Sequence, residues 1–447
     1  MKNYYALIFC IVAIGLASCA SATNPPLTST AAAYGVQPLA SEHTVYEFPG
    51  SPNGAAPFAG LLAGAKGEFY GVTNGGGTVG PSGFADGTVY EVSASGAEKV
   101  LYTFQGGKDG AGDEAGLVSD SSGNLYGATT DGGGSSGCSV GCGVVYELQQ
   151  RQGGYTERIL HVFTAGKDGA LPIASLLLGK NGVLYGTTNG GGTGTCSAPS
   201  QPAGCGVVFE LTPAGAKYKE KILHSFQGGT DGETPRSALI ADDKGNLYGT
   251  TEFGGKNNAA CMAASSGGAS CGTVFELTPG GKETILYRFK GGAKDGSNPR
   301  AALLPLSNGS FVAATVEGGA QNFGTVFELR PSGKGYAERV IYFFGQRSPD
   351  GARPFDSDGL VADAKGNVYG TTRASTTSCG CGAVFKLAPS GSGYSESVLH
   401  VFAGADGAFP YSGVVLRNNL LYGTAFNGGD YCSGSSTGCG VVYKVKV

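Results

Sequence analysis

Short apolar runs alternate with glycine-rich polar turns along most of this chain. Between residues 237 and 289, "SALIAD" passes through the turn "DKGN" into "NLYGTT". A long polar loop then leads to "TVFEL", and "TPGG" leads to "TILYRF". Runs this short, rich in β-branched and aromatic residues and bounded by Gly, Asp, Asn or Pro, predict four strands joined by turns. The unit recurs. Asp231-Gly232 is matched by Asn53-Gly54, Asp109-Gly110, Asp168-Gly169, Asp295-Gly296, Asp350-Gly351 and Asp406-Gly407. Four residues after each Asp or Asn stands Pro57, Asp113, Pro172, Pro235, Pro299, Pro354 or Pro410. The second strand carries Tyr70, Tyr126, Tyr185, Tyr248, Val312, Tyr369 or Tyr422, with two extra residues before Tyr369 and one fewer before Tyr422.

A seven-fold unit of about 53–64 residues is longer than most solenoid repeats and suits a four-stranded propeller blade with one long loop. The ends of the repeat region complement each other. It opens with a lone fourth-type strand, "HTVYEF" (43–48), and closes on a third-type strand, "GVVYKV". Pairing the two removes the open edge of a linear stack. The expected fold is therefore all-β: a seven-bladed β-propeller over residues 43–447, closed by the N-terminal strand completing the last blade. An open β-solenoid leaves those complementary ends unexplained.

The signature DGxxPxxxLIxDxxGNLYGTTxxGG…GTVFELTPxG…LHxF resembles the GloVer-type tandem repeat of secreted and surface-anchored bacterial proteins, over about residues 44–447. The resemblance implies an exported, often anchored repeat protein and brings no defined catalytic residues.

Composition agrees. Glycine reaches 81 of 447 residues, yet 41% are hydrophobic and 14% charged, which is not a disordered composition. A net charge of −4 without any basic run leaves no footprint for nucleic acid. The N-terminus has one lysine and an apolar run from Ala6 to Ala17, short for a membrane span and suited to export. Leu16-Ala17-Ser18-Cys19 resembles a bacterial lipobox. This implies a signal over 1–18, lipid on Cys19 and a Pro/Ser/Thr/Ala-rich tether over 19–42; an ordinary signal peptide is the alternative. Ala20 after the cysteine resembles outer-membrane sorting. A monomer is expected, touching the membrane only through the lipid.

Repetition tests candidate chemistry. His161, His224 and His400 share their register with Tyr46, Tyr102, Tyr287 and Tyr342, so the position asks for a flat amphipathic ring, not a catalytic base. Glu147/Arg158, Glu210/Lys221 and Glu328/Arg339 read as cross-strand pairs. Single-carboxylate Asp-Gly turns lack the oxygen ligands of a calcium loop. No metal and no cofactor is expected. Ten cysteines form local pairs in the loop between strands two and three: Cys138/Cys142, Cys196/Cys205, Cys261/Cys271, Cys379/Cys381 and Cys432/Cys439. In an exported chain these predict disulfides, Cys379/Cys381 being the tightest.

Those loops and the Asp-Gly-x-x-Pro turns share one face, where variable residues follow the proline ladder: Phe58, Glu114, Ile173, Arg236, Arg300, Phe355 and Tyr411. With the first strand innermost, they ring the channel mouth. Arg236 and Arg300 are placed to engage a carboxylate or sulfate together, and Phe58, Phe355 and Tyr411 to stack on a sugar or peptide. No nucleophile–base pair, metal cluster or phosphate loop appears. The expected function is an envelope-anchored binding or scaffold module for an extracellular or periplasmic glycan, peptide or protein. The alternatives are a propeller lyase or hydrolase with a carboxylate/Arg/Tyr site at the mouth, and a purely structural surface protein.

Overall fold

The computed structural model describes residues 42–79, 85–196, 202–215, 217–255, 261, 270–333, 335–355, 358–391, 393–429 and 438–447. The signal region, Cys19, nearly all of the tether and Cys432 lie outside the described residues. The described chain is almost entirely β and forms seven four-stranded antiparallel blades in a ring. In blade 3, for example, Leu177–Leu178, Leu184–Thr188, Val207–Ala214 and Lys217–Ser225 pair in sequence order. In blade 7 the fourth strand is Glu42–Glu47, which pairs with Val441–Lys446 from Glu42↔Val445 to Glu47↔Val441. The complementary ends close the ring.

The repeat motifs make the seams between blades. The Phe ending each fourth strand packs edge-on against the buried third-strand ring of the next blade. These pairs are Phe104–Tyr146, Phe163–Phe209, Phe226–Phe275, Phe289–Phe327, Phe344–Phe385 and Phe402–Tyr443, with Phe48–Tyr90 across the closure. Centroid separations run from 4.9 to 5.3 Å, and such a pair contributes roughly 0.5–1.5 kcal/mol beyond its burial. The glycine of "LYG" makes room for the same ring. A Cβ on Gly186 would sit 2.5 Å from Phe209, and one on Gly127 would sit 2.3 Å from the Tyr146 hydroxyl.

A second seam sets the mouth. The residue before the ladder position turns left-handed in every blade (Ala56, Gly112, Leu171, Thr234, Asn298, Arg353 and Phe409), with φ between 56° and 62°. Each of their N–H groups donates to a carbonyl of the preceding blade, on Cys439, Asp86, Cys142, Cys205, Cys271, Phe323 and Cys381 respectively, at 2.6–3.1 Å. Non-glycine residues in this region cost about 1–3 kcal/mol each and persist where the surroundings hold them. The interblade bond does the holding. The cysteine that ends each stapled loop therefore also supplies the carbonyl that receives the next blade. The ladder proline rests on the glycine that opens the preceding blade's third strand: Pro235 on Gly206, Pro57 on Gly440. Blade 2 has Asp113 instead, whose buried carboxylate accepts from the Tyr146 hydroxyl at 2.5 Å and the Ala115 N–H at 3.1 Å.

Two details depart from plain strands. Every third/fourth pair carries a bulge at one register, as between Val208 and Phe209. Bulges sharpen twist and re-aim side chains. The axis is also bridged. Asp358, within the stretch lengthened by the sixth unit's two extra residues, accepts the Gly60 N–H at 2.8 Å and the Ser175 hydroxyl. Ser175 in turn accepts the Gly116 N–H at 2.8 Å. One carboxylate thus ties blade 6 to blades 1, 2 and 3.

Candidate functional site

The residues after the proline ladder converge as the repeat register implies. Phe58, Glu114, Ile173, Arg236, Arg300 and Phe355 line one narrow cavity of about 20 Å³, room for about one water. Tyr411 completes the ring by stacking on Phe58 at 4.7 Å, and Phe355 meets Tyr411 edge-on at 5.2 Å. The aromatic residues of blades 6, 7 and 1 thus pack on one another at the mouth.

The arginines do meet a carboxylate together, and it belongs to the chain. Glu252, buried, accepts from Arg236 Nε at 2.9 Å and from Arg300. Arg236 also reaches Asn189 at 3.2 Å, and Arg300 lies over the Phe355 ring at 4.4 Å. Burial opposes ionisation of Glu252, but Arg300 and then Arg236 outweigh it and hold the carboxyl below its usual range. Glu114 goes the other way: burial raises it against the pull of Arg236 and Arg300. Burial pushes Asp131 up to about 7, with Glu114 and Asp86 adding to the shift. The mouth is therefore acidic on the blade 2 side, rich in arginines from blade 4 to blade 6 with the buried Glu252 and Glu317 set among them, and aromatic around blade 7.

Glu252 belongs to a second ring that the sequence reading missed. The residue four after the second-strand Tyr or Val is Asn74, Thr130, Asn189, Glu252, Val316, Arg373 or Phe426. Its signal was available: it is as variable as the ladder ring and directly follows the recurring second-strand register that reads "YGTT" in three units and close variants in the others. Arg373 lies 5.8 Å from the Tyr411 centroid and 6.0 Å from that of Phe355, and has no ion pair among the described residues. Burial lowers its pKa; Tyr411 opposes this, while Arg353 and Arg300 add to it. Phe426 packs edge-on to Tyr411 at 5.4 Å.

The scaffold pairs fall where expected. Arg158 binds Glu147 at 2.6 Å and Arg339 binds Glu328 at 2.8 Å, while Glu210 faces Lys221 in register. Disulfides join Cys138–Cys142, Cys196–Cys205, Cys261–Cys271 and Cys379–Cys381. Cys439 is disulfide-bonded, its expected partner Cys432 lying outside the described residues. A larger hollow of about 270 Å³ opens on the opposite face between blades 1 and 2. Its Tyr70, Glu91 and Lys99 are facing cross-strand residues of the repeat.

Fold and mouth together define a repeat-built propeller whose variable side chains gather at one end of the axis. The chain belongs to the Gloeobacter/Verrucomicrobia repeat family, whose sequence profile matches residues 29–262 and 258–447. No curated protein matches it. Solved structures similar to it include a protein from Lactobacillus plantarum, 11% identical over 80% of this chain and 95% of that one, with a TM-score of 0.46. Aldose sugar dehydrogenase from Streptomyces coelicolor, solved with PQQ bound, is 12% identical over 92% and 99%, with a TM-score of 0.41. A gluconolactonase from Xanthomonas campestris is 13% identical over 73% and 83%, with a TM-score of 0.38. None of these carries an activity over to this chain. The disulfides and the bacterial family together point to an exported protein.

Proposed function

We propose that this protein is an envelope-anchored recognition module whose axial mouth binds an acidic glycan. The observation that carries the reading is Arg373, a cation without an ion pair among the described residues, set beside the Tyr411 and Phe355 rings. A uronate or sulfated sugar offers the matching chemistry: an apolar C–H face for a ring and an anionic group for a guanidinium. A cavity of about 20 Å³ admits no sugar, so the ligand rests across the mouth and its affinity depends on few contacts. Lipid on Cys19 and the 19–42 tether hold the propeller away from the membrane, so Cys19→Ser releases it from the membrane fraction.

The test is calorimetric titration with acidic oligosaccharides and their carboxyl-reduced counterparts. The acidic form binds, the reduced form loses most of the affinity, and Arg373→Ala weakens binding at least tenfold. Equal binding of both forms, or an unaffected Arg373→Ala variant, refutes the reading.

A further inference from the structure

At six of the seven seams a fourth-strand ring residue, the Asp or Asn of the following turn, and a fourth-strand glutamate of the next blade come together. Where the ring is tyrosine, its hydroxyl donates to the carboxylate: Tyr102 to Asp109 at 3.1 Å, Tyr287 to Asp295 at 2.9 Å, Tyr342 to Asp350 at 3.2 Å. A phenol has a proton to give, so in these seams the ring hydroxyl itself is hydrogen-bonded, although Glu157, Glu338 and Glu396 each keep one buried oxygen without a hydrogen bond. The seams after blades 2 and 3 replace the phenol with an imidazole nitrogen.

Their geometry changes accordingly. His224 Nε2 lies 3.4 Å from Asp231 and 3.9 Å from Glu283. His161 Nε2 lies 3.3 Å from Glu220 and 3.8 Å from Asp168. What sets these seams apart is the ring atom: His224 Nε2 and His161 Nε2 are buried and make no hydrogen bond, and each faces a glutamate oxygen, Glu283 Oε1 or Glu220 Oε1, that is unpartnered as at the tyrosine seams. The three ligand atoms of the His224 group lie within 4.8 Å of one another. Two atoms each about 2.0–2.1 Å from a tetrahedral metal are about 3.3–3.4 Å apart, which matches one separation in each group, His224–Asp231 and His161–Glu220. Arg288, the arginine that acts on Glu283, donates instead to the Thr230 carbonyl at 3.2 Å.

We propose that His224, Asp231 and Glu283 bind a divalent transition-metal ion such as zinc, and that His161, Asp168 and Glu220, the same donor set with its two carboxylates standing wider apart, form a second site. One imidazole with two carboxylates is a donor set suited to zinc, and it leaves a fourth position for water. Each ion clasps the outer edges of two consecutive blades, blade 3 to blade 4 and blade 2 to blade 3. These sites sit away from the axis and are independent of the glycan-binding proposal. His400 shows the contrast: it sits 2.9 Å from Asp406, a hydrogen-bond distance.

The repeat supplies its own control, because tyrosine already occupies this register at Tyr102, Tyr287 and Tyr342. Oxidised, tag-free protein stripped with chelator is titrated with zinc by calorimetry, and retained metal is counted by mass spectrometry after gel filtration. His224→Tyr and His161→Tyr each lose one equivalent relative to the unmodified chain, and the double variant loses two with its circular dichroism unchanged. Zinc raises the melting temperature of the unmodified chain but not that of the double variant. Should the double variant fold poorly, Glu220→Gln with Glu283→Gln gives the same loss of two equivalents. An unmodified chain that retains no zinc, or variants that retain all of it, overturns the proposal.

Discussion

Replacing Glu252 by glutamine tests whether the mouth is held by charge. The substitution keeps the side-chain shape and one acceptor oxygen but leaves Arg236 and Arg300 facing each other without their shared counter-ion. Breaking a buried pair from one side costs about 3–5 kcal/mol. Here the carboxylate side chain is only 4% exposed, but the arginines are 30% and 21% exposed and so partly screened. Glu114, whose carboxyl is drawn toward ionisation by both arginines, recovers part of the charge balance. The expected loss is therefore about 2–3 kcal/mol near neutral pH, read by urea denaturation. Because the folded-state pKa of Glu252 is depressed, its contribution is present above the ordinary carboxylate range and lost as pH falls through the depressed value. The gap between unmodified and variant chains thus narrows in acid. Sulfate should stabilise the variant more than the unmodified chain, by occupying the position between the guanidinium groups. A loss below about 0.5 kcal/mol at neutral pH, the level of an ordinary surface substitution, refutes the reasoning.

Other consequences are equally direct. Asp358→Ala removes an acceptor that joins blades 1, 3 and 6 and should cost about 2–3 kcal/mol; faster amide exchange at Gly60 and Gly116 marks the lost bridge. Phe48→Ala empties the closing seam against Tyr90 and should cost about 3–5 kcal/mol by denaturation, like Phe163→Ala within the ring. Burial, reinforced by Asp109, pushes Glu157 up to about 8, and burial with Asp295 pushes Glu338 up to about 7. The folded state then holds protons that the unfolded chain has released. The stability these groups contribute falls as pH rises from the ordinary carboxylate range through about 7–8. Glu157→Gln with Glu338→Gln should flatten that part of the stability profile, and an unchanged slope counts against it.

Much of the mouth was legible in the chain because the repeat acts as its own ruler. Counting from each proline places Phe58, Glu114, Arg236, Arg300, Phe355 and Tyr411 at one level, and the structure gathers them there. What stayed hidden was what each side chain meets. Arg236 and Arg300 read as open to a ligand, whereas Glu252, sixteen and forty-eight residues away, already lies between them. The two additional residues before Tyr369 showed only as a change of spacing, whereas they lengthen the stretch from which Asp358 bridges the axis.

The sequence by itself determined the seven units, the strands within them, the pairing of His43–Phe48 with the final strand, and the local cysteine pairs. These follow from short-range rules: period-two patterning, turn chemistry and residues a few positions apart. Only the tertiary structure decided the seams and the axis. There, blade number and tilt bring together Gly60 and Asp358, 298 residues apart, and set one blade's backbone N–H against the cysteine carbonyl of the blade before it. Contacts of that kind depend on the closed ring, and no single unit encodes them.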